Sequence, residues 1–585
     1  MDIEKTPAQP ISNEQDVAHD ADDNVNVSGH VQELDRSFSV WSICCIGIMN
    51  NNAWASGGGS LVIALYNGGG PGVLYGLMAA TFFYAFIGLS LAELASAIPS
   101  SANVYHWASV TAGPKYGRIC SWFGGWWNSL AWIFGTSSVC LFGANAAVAM
   151  YSLYHPDYVP ERWHIFFAFL GIAWFDNLLV MFGQRFLARV ANASGVLCIA
   201  FLVITVLVCA IMPSQTGAGY ASSSFVWTEF TNLTGYSSSG FVFLAGMLNG
   251  AYAIGTVDGV CHLCEEIPNP RVNVPKGMAA QLGAGFLTTF FFFIAIVGHT
   301  FSGQRHSADQ LTILTQLYGV TSLDDVFNTN IVSLPLAAMY QQATRSNAGT
   351  MGLLFIFLLD FLVAIPGAYV VCGRMLWTIA RDDATPASGW LRHVSGRWRN
   401  PLQAQFICGC CVTVLGCIYI ASDRAFNAFV GTFAILTTLS YLTAILPNLL
   451  TGRKNVRPGP VSPTLTTLAK NKSNPRQESN FFKFYIPSPW GPIVLAIASA
   501  YIIVFDVIFM FPYSMPVSVA TMNYSCVMVG GITILLALGY AWKRKHGYVG
   551  PQVAFEGRDD VLVGVVGLTK EEEEGRRKGG GVTAQ

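Results

Sequence analysis

Charge is what this sequence has least of. Only 11% of its 585 residues are Asp, Glu, Lys or Arg, against about 25% in a soluble domain, and that shortage excludes a free-standing globular protein. The charges nearly cancel, to a formal net of −1, so no basic field points to nucleic acid. Two energy-coupling motifs are missing as well. The chain has neither a G-x-x-x-x-G-K-[ST] phosphate loop nor a D-K-T-G-T string, which excludes ATP as the direct energy source. The polar, acidic first forty residues argue against a cleavable signal peptide. Fourteen cysteines are present, but most sit inside apolar runs, as at Cys408, Cys410 and Cys411. They read as small buried hydrophobes rather than a disulfide framework.

Apolar residues fill the gap. They make up 52% of the chain, with 39 Phe, 22 Tyr and 15 Trp suited to lipid-facing and interfacial positions. Runs of about 20 apolar residues, enough to cross a bilayer, fall near 39–66, 72–98, 122–152, 163–182, 187–212 and 239–264. Six more fall near 277–301, 349–377, 403–421, 426–450, 491–512 and 518–542. The prediction is an all-α integral membrane protein with twelve transmembrane helices. Basic residues gather on one side of these spans, among them Lys115, Arg118, Arg271, Arg374, Arg381 and Arg453. The positive-inside rule then puts both termini in the cytoplasm. Residues 1–38 and 543–585 lack a hydrophobic pattern and are expected to be disordered tails.

Two spans break the rules for a plain lipid anchor. The first carries Asn50 to Asn52 and then Ser56 to Ser60 in mid-run, where neither helix propensity nor lipid favours them. Gly57, Gly58 and Gly59 leave backbone groups bare for a solute, or else make a face for close helix packing. The sixth carries Gly246, Gly250, Gly255 and Gly259 with Asp258 among them. Irregular, acid-bearing backbone survives in hydrocarbon only beside protein or water. Two broken helices five spans apart match an inverted repeat of secondary transporters. The layout is a LeuT-like arrangement of repeats at 39–212 and 239–450, a cytoplasmic loop at 451–490 and two extra spans at 491–542.

Several strings then look familiar. G-T-V-D-G-V-C-H-L-C-E-E-I-P-N-P from Gly255 resembles the sixth-helix signature of the amino acid–polyamine–organocation superfamily. A-E-L-A-S-A-I-P-S-S-A-N-V-Y-H-W from Ala92 and R-M-L-W-T-I-A-R-D-D-A-T-P from Arg374 are similar to its second- and eighth-helix exits. H-P-D-Y-V-P-E-R-W and N-N-A-W resemble the fungal amino acid/choline branch, which includes choline and GABA permeases. The resemblance spans about 36–545. It implies a permease, with proton coupling the expectation for fungi, the plasma membrane the default location and the vacuole the alternative. It implies no cofactor and no catalysis; the partners are a small solute, protons and the bilayer.

Carried over residue by residue, the resemblance implies a solute site at Asn52, Trp54, Ser56, Gly57, Gly58 and Gly59, facing Ala251, Tyr252 and Ala253. The glycines suit a carboxylate; Trp54 and Tyr252 suit a quaternary ammonium through cation–π attraction, or pack as core. Asp258 matches the superfamily acid and otherwise anchors the second half-helix. His262, at i+4, shares a proton with it or is structural. Glu265 and Glu266 form a gate or loop salt bridge with Arg or Lys. The C-H-L-C run lacks the second Cys/His pair of a metal site. Asp360, in L-L-F-I-F-L-L-D-F-L-V, is costly at membrane depth and functional by default. It neutralises a cationic substrate, carries the coupling proton, or pairs with another helix. The family places a small or hydroxyl residue there. Segments 302–330 and 455–485 also exceed the family's loops.

Overall fold

The structure, a computed structural model, describes residues 39–155, 157–183, 186–215, 226–297, 334–422, 425–456, 484–519 and 521–551. The tail expected at 1–38, the segment 302–330 and most of 455–485 and 543–585 lie outside these residues. Among the described residues the fold is helical, without strands beyond two isolated bridges.

The first span is three helices, α1 (Val40–Asn51), α2 (Ala53–Gly59) and α3 (Leu61–Tyr66), followed by α4 (Gly69–Ala97), α5 (Val104–Thr111) and α6 (Gly113–Ser152). Next come α7 (Arg162–Phe182), α8 (Leu187–Gln215), α9 (Ser239–Ile254) and, after a 3₁₀ turn at Cys261–Glu266, α10 (Pro270–Val297). The rest are α11 (Pro335–Thr344), α12 (Asn347–Arg381), α13 (Ser388–Leu391), α14 (Leu402–Ala421), α15 (Ala425–Leu450), α16 (Trp490–Ile508) and α17 (Ser525–Lys545). Ten of them are long and apolar enough to cross a membrane. The pieces of the first span and the 16-residue α9 fall outside that set.

Local chemistry sets the ends. Ser39, Ser238 and Ser346 each accept a bond from a first-turn N–H, capping α1, α9 and α12. Three starts differ by seven residues or more from the sequence expectation, the twelfth span beginning at Ser525 rather than 518. The third span begins at Gly113 rather than 122, and the seventh at Pro270 rather than 277. In both, a polar first turn carrying Pro and a basic residue is helical but lowers the hydropathy that marks a span. The 40-residue α6 is consequently about 60 Å long, roughly twice the hydrocarbon thickness.

Helix α6 is central, packed against α12 and α15. Helices α9 and α10 pack on α4, and α1 lies against α8 and α10. Large apolar side chains face outward from α8 (Val203, Leu207, Ile211) and α17 (Ile534, Leu535, Leu538), the surface that lipid requires.

Candidate substrate and coupling site

The first span breaks because Asn52 turns left-handed. Its φ of 34° and ψ of 48° end α1, and its N–H closes on the Ile48 carbonyl. Asn is one of the few residues other than Gly that adopt this conformation readily. A second interruption follows at Ser60, whose hydroxyl donates back to the Ser56 carbonyl. The sixth span breaks after Ile254, where Gly255 and Thr256 leave the helix and Val257 to Val260 form turns. The Asp258 carbonyl accepts from Cys261 N–H at 2.8 Å, starting the 3₁₀ turn.

Polar residues that sequence reasoning missed tie the two breaks together. Asn249 donates to the Gly57 carbonyl (3.0 Å) and the Ser60 hydroxyl (2.8 Å). Thr256 donates to Asn51 Oδ1 at 2.9 Å, Asn51 donates to the Gln281 carbonyl at 3.2 Å, and the Gln281 amide closes on the Thr256 carbonyl. Asn249 and Gln281 were visible as single amides inside apolar runs, the pattern by which helices join in a membrane.

All nine candidate solute residues are buried. Gly57 lies against Phe293, Thr289 and Ala253, Gly58 against Phe292, and Gly59 against Phe142, too close in each case for a Cβ without movement. Aromatic rings therefore cover the backbone expected to be bare. Trp54 packs edge-on to Phe292 (5.0 Å) and Phe357 (6.1 Å). Tyr252 shares a hydrogen bond with the Ser138 hydroxyl and packs edge-on to Phe142 and Phe433. The rings of Phe357, Phe361 and Phe142 run between Trp54 and Tyr252. A small crevice follows the first break, lined by Asn51, Asn52, Trp54, Cys198, Gly285 and Thr288. Its walls come from the first span, α8 and α10.

Asp360 is fully buried on α12. Its carboxyl adjoins the Asn52 amide and the Cys198 thiol. Among the described residues no Arg or Lys pairs with it. The one acidic side chain of the eighth span thus stands at the break in the first.

Asp258 has the opposite surroundings. Its Oδ2 accepts from Asn103 (2.9 Å), Asn128 (2.8 Å) and Trp132 (3.4 Å) and faces His262 Nε2 at 3.0 Å. Its Oδ1 accepts from the Tyr441 hydroxyl at 2.5 Å. Segments before α5, within α6 and within α15 are thereby tied to the unwound part of the sixth span.

Glu265 and Glu266 continue from it into buried ion pairs. Arg381 reaches Glu265 at 2.9 Å and Arg374 reaches Glu266 at 3.1 Å, while Ser101 also donates to Glu265. Arg453 and Glu93 form another buried ion pair. Arg381 lies 4.0 Å above the Trp377 ring and Arg374 also holds Asn400. The C-H-L-C run separates by role: Cys261 Sγ meets Met278 Sδ at 3.5 Å, while His262 is engaged by Asp258. Asp506 on α16 is also buried and accepts from Thr438 at 2.6 Å.

Compared with known proteins, residues 38–532 match the family model described as amino acid permease. A choline transporter of Saccharomyces cerevisiae is 27% identical over 88% of this chain and 82% of its own length. The GABA-specific permease of the same yeast is 25% identical over 92% of this chain and 87% of its own. The amino-acid permease BAT1 of Arabidopsis thaliana is 24% identical over 89% and 94%.

Proposed function

The chain belongs to the amino acid permease family, and on that premise we propose that it drives proton-coupled uptake of a choline-like organic cation by alternating access. It is an integral membrane transporter. The interrupted segments at 39–66 and 239–266 complete twelve crossings, arranged as repeats at 39–212 and 239–450 with two further spans at 491–542. The termini lie in the cytoplasm and the plasma membrane is the proposed location, with the vacuolar membrane as the alternative.

One observation carries the substrate class: Asp360, with no cationic side chain beside it among the described residues, meets Asn52 at the first break, two residues before Trp54. A buried carboxylate without a counter-charge is costly, and a substrate cation supplies that charge from outside the chain. Trp54 adds an aromatic face, worth roughly 0.5–2 kcal/mol to a cation. Asn52, Trp54, Ser56, Gly57, Gly58 and Gly59 form one wall of the solute path; Ala251, Tyr252 and Ala253 form the other. Asp258 and His262 couple the proton, and Glu265 and Glu266 gate the cytoplasmic end through Arg381 and Arg374. An amino acid such as GABA is the second reading, favoured by the likeness to the GABA-specific permease. Its ammonium suits Asp360 equally, but its carboxylate needs the glycine backbone that Phe142, Phe292 and Phe293 cover.

Uptake of labelled choline and labelled GABA, in cells lacking their own permeases for both, tests the reading. Choline accumulates in preference to GABA, and collapsing the pH gradient abolishes the accumulation. Accumulation of neither solute removes the substrate class. Choline uptake indifferent to the gradient removes the coupling.

A further inference from the structure

The hydrogen-bond geometry around His262 favours a second proton on the buried pair. His262 Nδ1 lies 3.2 Å from the Ser101 carbonyl, and a carbonyl only accepts, so Nδ1 carries a hydrogen. Nε2 lies 3.0 Å from Asp258 Oδ2. A neutral imidazole donating through Nδ1 would turn its Nε2 lone pair toward that carboxylate, with only the Asn103 amide, 3.3 Å from Nε2 and shared with Oδ2, to offset the repulsion. A second proton between the two atoms removes that repulsion. It does not belong to Oδ2, which already accepts from the Asn103 and Asn128 amides at 2.9 and 2.8 Å. It belongs to Nε2.

We propose that the proton moved with the solute is held on His262 Nε2, and that its departure releases the unwound sixth span from α6 and α15. The inference rests on the proton-coupled reading given above. The pair bridges moving parts: Asp258 and His262 sit on the broken sixth span, while Asn128 and Trp132 belong to α6 and Tyr441 to α15. Loss of the proton leaves a lone pair against an anion, and the contact that holds the segment in this state turns repulsive. Few other titratable groups face the pair. Tyr441 approaches from α15 with Tyr84 of α4 behind it. Cys261 lies alongside Asp258 on the same segment, and the Glu265–Arg381 ion pair closes the next turn. Among the described residues the α5 side supplies the neutral Asn103 amide, 3.3 Å from Nε2, and the Ser101 carbonyl.

The test uses the full chain in proteoliposomes with labelled choline, comparing counterflow exchange with accumulation driven by an imposed pH gradient. His262→Gln loses gradient-driven accumulation by about tenfold or more, the size of a typical coupling free energy, while counterflow falls much less. A His262→Gln protein that concentrates choline as well as the wild type overturns the proposal and leaves proton coupling intact. A wild type blind to the gradient overturns the coupling itself. Spectroscopy covers the case in which the variant fails to fold. In protein labelled with ¹⁵N-histidine, the signal absent from His262→Asn shows both ring nitrogens protonated in the solute-free state. A neutral ring with an unprotonated Nε2 there overturns the proposal.

Discussion

Asp258 and Asp360 are both fully buried carboxylates in membrane-spanning segments, and they are provided for in opposite ways. Asp258 is met by five side chains, from Asn103, Asn128, Trp132, His262 and Tyr441. Asp360 has an amide and a thiol beside it. A buried charge survives when its donors and partner are supplied by the fold, and removing one side of such a pair is strongly destabilising. An acid left without that supply lowers stability in return for something else. The saturated acid is therefore read as part of the moving frame, and the unsaturated one as the seat for a cation arriving from outside.

The comparison breaks or holds on stability first. Asp258→Ala strands a ring of buried donors and costs about 3–5 kcal/mol, so the melting temperature of the purified protein falls well below wild type. Asp360→Asn leaves it equal or higher. Equal losses in both would erase the distinction. Transport gives the second contrast: Asp360→Asn lowers surface-normalised choline accumulation by about tenfold or more, equivalent to at least about 1.4 kcal/mol of lost binding. Normal accumulation by that variant removes Asp360 from the mechanism. Trp54→Leu weakens choline by several-fold, in line with roughly 0.5–2 kcal/mol for a cation over a ring. Competition by the uncharged analogue 3,3-dimethylbutanol stays level, because it has no charge for the ring to attract; a matching loss would mean Trp54 acts by packing alone. Tyr441→Phe gives the smallest change. It removes one of Asp258's donors, about 1 kcal/mol, and lowers the melting temperature slightly without altering choline affinity.

The same contrast explains what the sequence disclosed. The breaks were legible because their causes are local: Asn52 adopts a left-handed backbone, and glycines on both sides of Asp258 loosen the sixth span. Asp360 was legible as an acid in an apolar run. Glu265 and Glu266 were legible as charges wanting Arg or Lys, but Arg374 and Arg381 as their partners were not. Asn103, Asn128 and Tyr441 stayed hidden, since each is an ordinary residue whose partner lies more than a hundred positions away. The rings over Gly57 to Gly59 come from α6 and α10, and nothing local to the glycines announces them. The polar first turns of α6 and α10 escaped for a different reason, because hydropathy records lipid contact and not helical backbone.

Equilibrium binding of labelled choline to the purified protein, wild type beside Asp360→Asn, tests the cation seat most directly. The account predicts saturable binding by the wild type and affinity about tenfold weaker or worse in the variant, with its melting temperature undiminished. Equal affinity in the two proteins would contradict it.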